Sequence, residues 1–171
     1  TKTDFKITSK LLEENYSDKT KAILLSNPCN PTGNVLTLEE MEVIADFVEK
    51  RDIFLIADEI YSELSFYNFY SFSSFEKIKD KVIIINGFSK SHSMTGWRIG
   101  YTIFPLEYRR YFLNTTLYTL SSPMALSIAA AEIALEKFED RKELMNIYKK
   151  RAVYMKDALT ELGFKVVEPK G

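Results

Sequence analysis

The stretch that decides the fold runs from residue 22 to residue 58 and reads AILLSNPCNPTGNVLTLEEMEVIADFVEKRDIFLIAD. It starts with the apolar run 22–25 and finishes with the apolar run 53–57, and short continuous runs of this kind predict strands buried on both faces. Between them, residues 37–50 carry apolar side chains at helical spacing behind the capping-box sequence TLEE. The stretch therefore predicts a strand, a helix and a second, parallel strand.

The pattern continues downstream of this unit. Residues 82–85 predict a third parallel strand, and residues 99–104 a further strand. Helices are predicted over 106–120, 124–137 and 142–162. Gly163 is expected to end the last helix, and residues 164–167 to begin another strand. The fold class is α/β, with a mostly parallel sheet flanked by helices.

Composition excludes several classes of protein. The chain has 171 residues, 46% of them hydrophobic and 27% charged, with 23 basic and 24 acidic side chains and a net charge of -1. This balance argues against a nucleic-acid or membrane partner. Cys29 and His92 are the only cysteine and histidine in the sequence, so neither an intrachain disulfide nor a Cys/His metal cage can form. A cytoplasmic protein without a metal is expected.

Polar motifs follow each of the first three predicted strands. They read NPCNPTG over residues 27–33, DEIY over 58–61 and GFSK over 87–90, the last continuing to Arg98. Taken singly, these residues have ordinary roles, because Asn and Pro form turns, Asp caps helices and Lys is usually a surface charge. Parallel strands place their carboxyl ends at one edge of a sheet, where ligands bind. The combination therefore predicts a site at that edge.

The order and approximate spacing of three motifs resemble those of the class I/II aminotransferases of the aspartate aminotransferase type, which are fold-type I pyridoxal-phosphate enzymes. The motifs are NPCNPTG, DEIY and, over residues 89–100, SKSHSMTGWRIG. The resemblance covers nearly the whole chain and implies that the chain is an internal part of a longer enzyme. Residues 1–140 would be the central part of the cofactor-binding large domain. Residues 141–171 would be the helix and first strand that lead into the small domain.

The resemblance also implies a role for each residue that matches a family motif. Lys90 would form the Schiff base with the aldehyde of pyridoxal 5'-phosphate and shuttle the substrate proton. Asp58 would pair with the protonated ring nitrogen, which keeps the ring an electron sink. Tyr61 and Asn30 would approach the phenolic oxygen from two sides. The catalytic set implied is thus Lys90, Asp58 and Tyr61.

The phosphate of the cofactor would be held by two further residues. Arg98 matches the arginine that binds it through a planar fork of N–H groups, and Ser89 would add a hydroxyl. Gly87 stands where many relatives have a serine, so one phosphate donor is expected to be missing. The family's phosphate turn and ring-stacking aromatic lie upstream of this segment, and its substrate-carboxylate arginine lies downstream. The isolated segment is therefore expected to be inactive.

The implied reaction moves an amino group from an amino acid to a 2-oxo acid, in an enzyme that is a homodimer in this family. Two alternatives stay open: a pyridoxal-phosphate-dependent carbon-sulfur β-lyase, and an aminotransferase-like sensing domain of a transcriptional regulator. Residues 120–125 contain no arginine of the kind that selects dicarboxylates, which favours neutral, aromatic or basic amino donors. The aromatic residues between 66 and 75 would pack a core or line a pocket.

Overall fold

A single mixed sheet organises the chain in this computed structural model, which describes residues 5–137 and 141–171. The strands are β1 (Ala22–Ser26), β2 (Phe54–Asp58), β3 (Val82–Gly87) and β4 (Gly100–Ile103), and they lie in that order. β1, β2 and β3 are parallel, whereas β4 runs antiparallel to β3. The predicted α/β class and mostly parallel sheet are confirmed.

The helices agree with the periodic segments of the sequence. They are α1 (Ser9–Asn15), α2 (Leu38–Glu49), α3 (Phe88–Ser91), α4 (Arg109–Thr119), α5 (Ala125–Glu136) and α6 (Arg141–Glu161). Single 3₁₀ turns lie at Ser62–Leu64, Phe72–Ser74, Glu76–Ile78, Thr95–Trp97 and Leu106–Tyr108. The sequence did not predict α1 and α3, because seven and four residues are too few to show a helical period. Among the described helices, none combines the length and apolarity needed to cross a bilayer.

Helix α2 carries the main core. Its inward face includes Met41, Ile44 and Val48, all fully buried in one cluster with Leu55 and Ala57 of β2. The capping box predicted at its start is formed, with the Thr37 hydroxyl accepting from the Glu40 amide at 3.3 Å and the Glu40 carboxylate accepting from the Thr37 amide at 2.9 Å. Burial of this stripe fixes α2 on the sheet and leaves the strand ends free to carry a site.

The C-terminal end of α6 shows both an agreement and a correction. Gly163, at a φ of 85°, ends the helix as expected, and the Phe164 amide donates to the Leu159 carbonyl at 3.0 Å in a Schellman arrangement. The strand expected over 164–167 is not formed among the described residues. The carbonyl and amide of Lys170 bond to the Phe66 amide (2.7 Å) and the Gly33 carbonyl (2.6 Å) instead. An apolar run becomes a strand only beside a partner strand.

Candidate active site at the carboxyl edge of the sheet

The register of the sheet brings the three sequence motifs to one edge. Asp58 pairs with Ser26 of β1, and Gly87, the last residue of β3, pairs with Gly100 of β4. The loop over residues 27–33 and the turns after Asp58 and Gly87 therefore start at the same end of the sheet. The edge predicted from the order of strands and motifs is the one that the structure shows.

Asn30 and Tyr61 meet above this edge although 31 positions separate them. The Asn30 side-chain amide donates to the Tyr61 hydroxyl oxygen at 3.0 Å. The loop that carries Asn30 is closed on itself by a bond from the Gly33 amide to the Cys29 carbonyl at 2.8 Å. Because the Tyr61 oxygen accepts from Asn30, its own proton remains available to donate to a third group.

Lys90 lies over the ring of Tyr61. It is half-buried in α3, and its Nζ atom is 5.6 Å from the centroid of the Tyr61 ring. The four-residue helix α3 begins directly after β3, so the lysine is held one short turn from the sheet. The structure thus places the side chains of Asn30 and Lys90 next to that of Tyr61.

Asp58 is the last residue of β2 and is half-buried. One carboxylate oxygen, Oδ1, accepts from the Ile60 amide at 3.1 Å, as in an Asx turn. The other oxygen has no hydrogen bond to the part of the chain that the structure describes. Asp58 therefore offers an acceptor at the strand end, two residues of backbone away from Tyr61.

Arg98 and Ser89 belong to the segment that follows β3 at the same edge of the sheet. Ser89 is half-buried in α3, directly before Lys90. Arg98 is exposed, and one guanidinium nitrogen donates to the Thr95 carbonyl at 3.2 Å. Within the described residues, no hydrogen bond or ion pair links either of them to Asn30, Asp58 or Lys90.

The backbone of Arg98 is left-handed, with φ 50° and ψ 47°. A non-glycine residue in this region costs on the order of 1–2 kcal/mol, and such residues concentrate at functional sites. The Thr95–Trp97 turn and this conformation together reverse the chain between β3 and β4. The exposed guanidinium keeps most of its five N–H donors for a ligand.

Gly87 has no room for a side chain. A Cβ atom built there would lie 2.9 Å from the Gly100 Cα, at the start of β4, and 3.0 Å from the carbonyl oxygen of the preceding residue, Ile99. A serine at this position would therefore push β4 away from β3. Close approach of the two chain segments therefore requires glycine at this position.

Gly87→Ser is accordingly expected to destabilise the fold by about 1–3 kcal/mol, the usual cost of overpacking. Gly96→Ser is the matched control, since no atom lies within 4 Å of a Cβ at that position. The free energy of unfolding, from denaturant titration of each variant, measures the difference. Equal stabilities for the two variants would contradict the steric account.

Two buried polar residues within the motifs were assigned no function from the sequence. Asn27, 1% exposed, donates its backbone N–H to the Asp58 carbonyl at 3.0 Å, and its side-chain oxygen accepts from the Leu36 amide at 2.9 Å. Glu59, 2% exposed, accepts from the Phe72 amide at 3.0 Å. The signal that could have revealed them is a polar residue inside a motif next to an apolar strand.

Comparison with known proteins matches the family Aminotransferase class I and II over residues 1–171, and the chain belongs to that family. A probable N-acetyl-LL-diaminopimelate aminotransferase of Bacillus subtilis is 40% identical over 98% of this chain and 42% of its own length. An aspartate aminotransferase of Bacillus sp. (strain YM-2) is 38% identical over 98% of this chain and 44% of its own length. The chain therefore spans less than half the length of these relatives.

Solved structures agree with the sequence relatives. The crystal structure of an aromatic aminotransferase from Pyrococcus horikoshii OT3 superposes with a TM-score of 0.93 at 34% identity, covering 98% of this chain and 46% of that one. These neighbours support the large-domain fold, and the names of the relatives favour an aminotransferase over the lyase and regulator alternatives. The aminotransferases of this family depend on pyridoxal phosphate.

The donors and acceptors at the sheet edge suit that cofactor. Asn30 and Tyr61 offer an amide and a hydroxyl proton to a phenolic oxygen, and the second carboxylate oxygen of Asp58 suits a protonated ring nitrogen. The amine of Lys90, close to Tyr61, suits an aldehyde carbon, and the exposed Arg98 guanidinium suits a phosphate. The groups match the four functional parts of the cofactor.

Proposed function

We propose that the full-length protein is a pyridoxal-phosphate-dependent aminotransferase that moves an amino group from an amino acid to a 2-oxo acid. The observation that carries the proposal is the grouping of Asn30, Tyr61 and Lys90 around one ring, at the strand end that bears Asp58. When bound, the cofactor supplies an aldehyde that takes up amines and a ring that stabilises a carbanion. The chain supplies the groups that hold it and move protons.

Each candidate residue has a distinct role in this proposal. Lys90 would hold the cofactor through its aldehyde carbon, in a condensation that releases water, and the free Nζ amine would carry the substrate proton. Asp58 holds a proton on the ring nitrogen. Tyr61 and Asn30 would both donate to the phenolic oxygen, and Asn30 also donates to the Tyr61 hydroxyl oxygen. Arg98 binds the phosphate, with Ser89 as a further donor.

The amino donor is proposed to be neutral, aromatic or basic. Residues 120–125 read LSSPMA and contain no arginine, and the exposed Leu120 and Met124 make the segment apolar. A donor screen on the full-length protein, with 2-oxo acid production as the readout, tests both the reaction and this preference. A protein that eliminates from sulfur-containing amino acids and does not transaminate would be the carbon-sulfur lyase instead.

We further propose a cytoplasmic homodimer. Large apolar side chains on α4 and α5 are exposed in the single chain, including Leu117 at 59% and Leu126 at 70%, and their burial against a second copy would stabilise a dimer. A single cysteine suits a reducing compartment. Sedimentation of the full-length protein tests the dimer, and a monomer at micromolar concentration would contradict it.

Replacement of Arg98 is expected to separate cofactor binding from stability. Arg98→Ala removes donors worth about 1.5–3 kcal/mol per charge-assisted bond, so the cofactor dissociation constant should rise about 10- to 150-fold. Arg98→Gly should weaken binding equally but raise the thermal midpoint, because glycine relieves the left-handed conformation. Cofactor titration and thermal unfolding in the absence of cofactor measure the two effects.

Arg110→Ala provides the control for this pair, since Arg110 is an exposed residue of α4 without a hydrogen bond or ion pair in the described structure. It should leave both quantities at the parent value. If Arg98→Ala binds the cofactor as tightly as Arg110→Ala does, Arg98 is not the phosphate ligand.

A further inference from the structure

Glu59 lies inside the DEIY motif but is more deeply buried than Asp58 and Tyr61. Asp58 and Tyr61 are half-buried at the sheet edge, whereas Glu59 is 2% exposed. Its Oε1 atom accepts from the Phe72 amide at 3.0 Å. Phe72 itself is fully buried in the core under α2. The carboxylate therefore reaches from the candidate site into the hydrophobic core.

The backbone of Glu59 completes the connection. Its amide donates to the Ile85 carbonyl of β3 at 2.8 Å, and its carbonyl accepts from the Ser62 amide at 2.9 Å. One residue thus joins β3, the turn that carries Tyr61 and the segment at Phe72. The side-chain bond is the only one of these three links that a substitution can remove without changing the backbone.

We propose that Glu59 is a positioning residue, which clamps the Asp58–Tyr61 turn onto the buried Phe72 amide so that Asp58 and Tyr61 face the cofactor together. The inference rests on the proposed function, because it assigns the two neighbours to cofactor atoms. It goes beyond that function in giving a role to a side chain that does not reach the site.

The chemistry of the position supports a positioning role. Burial raises the pKa of the Glu59 carboxyl, while the Phe72 amide and the Ser71 hydroxyl oppose the rise. No cation pairs with Glu59 among the described residues, so the carboxylate depends on hydrogen-bond donors such as the Phe72 amide. Burial of a carboxylate without a paired cation carries a desolvation penalty, and an apolar side chain of similar size would pack there without that penalty.

The test uses the full-length protein and four variants. Glu59→Ala removes the clamp, Glu59→Asp keeps the charge but shortens the reach, and Glu59→Gln keeps both the length and an acceptor oxygen. Ile78→Ala is the control, because Ile78 is a fully buried core residue of the same 72–78 segment that makes no polar contact with the turn. It destabilises the segment by loss of packing.

The measurements are the cofactor dissociation constant, the pH midpoint of the bound cofactor's absorption band, and kcat and KM. We expect Glu59→Ala and Glu59→Asp to move the absorption midpoint and lower kcat about 10- to 100-fold, since Asp58 and Tyr61 lose their common orientation. Glu59→Gln should keep at least about a third of the parent kcat and the parent pH midpoint of the absorption band. Ile78→Ala should lower the thermal midpoint and leave the absorption midpoint unchanged.

Three results would overturn the inference: a parent-like spectrum and kcat in Glu59→Asp, no rescue by Glu59→Gln, or the same spectral change in Ile78→Ala. If Glu59→Ala does not fold, the Asp and Gln variants carry the same comparison. Failure of the proposed function looks different, because the parent protein itself would then show no cofactor absorption band or no transamination.

Discussion

Alanine in place of Lys90 is expected to reduce transamination by the full-length protein by at least about 10²- to 10⁴-fold, the range that a positioned general base contributes. The loss has two causes, because the same Nζ atom is proposed to bond the cofactor and to move the substrate proton. Lys90 lies in α3 with its Nζ atom 5.6 Å from the Tyr61 ring centroid. Among the described residues, no other lysine lies over that ring, so none is placed to substitute for Lys90. Steady-state kinetics measures the rate, and borohydride reduction followed by mass spectrometry locates the covalent bond.

The control is Lys19→Ala, at an exposed lysine in the loop before β1 that has no hydrogen bond or ion pair in the described structure. This variant should keep the parent kcat. After borohydride reduction it should also show the same cofactor mass increase as the parent on the segment 88–91, which contains Lys90. Turnover near the parent value in Lys90→Ala, or a mass increase on another lysine, would remove Lys90 from the reaction.

The second large effect is expected at Asp58. Asp58→Asn keeps an oxygen for the Ile60 amide, so the turn should hold its shape, but it removes the carboxylate proposed to stabilise the protonated ring nitrogen. We expect kcat to fall about 10²- to 10³-fold, comparable with the removal of one preorganised electrostatic group from other active sites. The cofactor should still bind, because Lys90 and Arg98 remain.

Asp18→Asn is the matched control, since Asp18 is exposed and bonds to no described residue. A pH–rate profile and a cofactor titration on both variants separate electronic from binding effects. If Asp58→Asn loses the cofactor with no change in the rate of the bound fraction, Asp58 acts in binding alone and its assignment to the ring nitrogen is wrong.

Helix and strand positions were largely predictable, for a local reason. α2 has a capping box and an apolar stripe over three turns, and the short apolar runs of β1 to β3 are typical of strands. The expected burial on both faces does not extend to β1, because β1 is an edge strand of the described sheet and Leu24 is 72% exposed. The direction of β4 was not predictable in this way. Direction depends on where the connection returns, and here α3 and the Thr95–Trp97 turn begin and end at the same sheet edge, so the chain comes back antiparallel.

The candidate site was also predictable only in part. Motif order and spacing by themselves identified the family and the residues to examine, because the chemistry of a cofactor restricts which side chains can serve it. Whether the division near residue 140 separates two domains, and whether the six candidates hold the cofactor, remain predictions from that resemblance. The tertiary structure alone decided that Gly87 must lack a side chain, which only the distance to a neighbouring strand can show.

The sequence thus determined which elements form and which residue types stand at the strand ends, since periodicity and motif spacing are local properties of the chain. Only the tertiary structure decided that Asn30 bonds to Tyr61, that Lys90 lies beside the Tyr61 ring and that Glu59 reaches the Phe72 amide. Each of these contacts joins residues 13 to 31 positions apart. Their distances follow from sheet register and core packing, which no local pattern specifies.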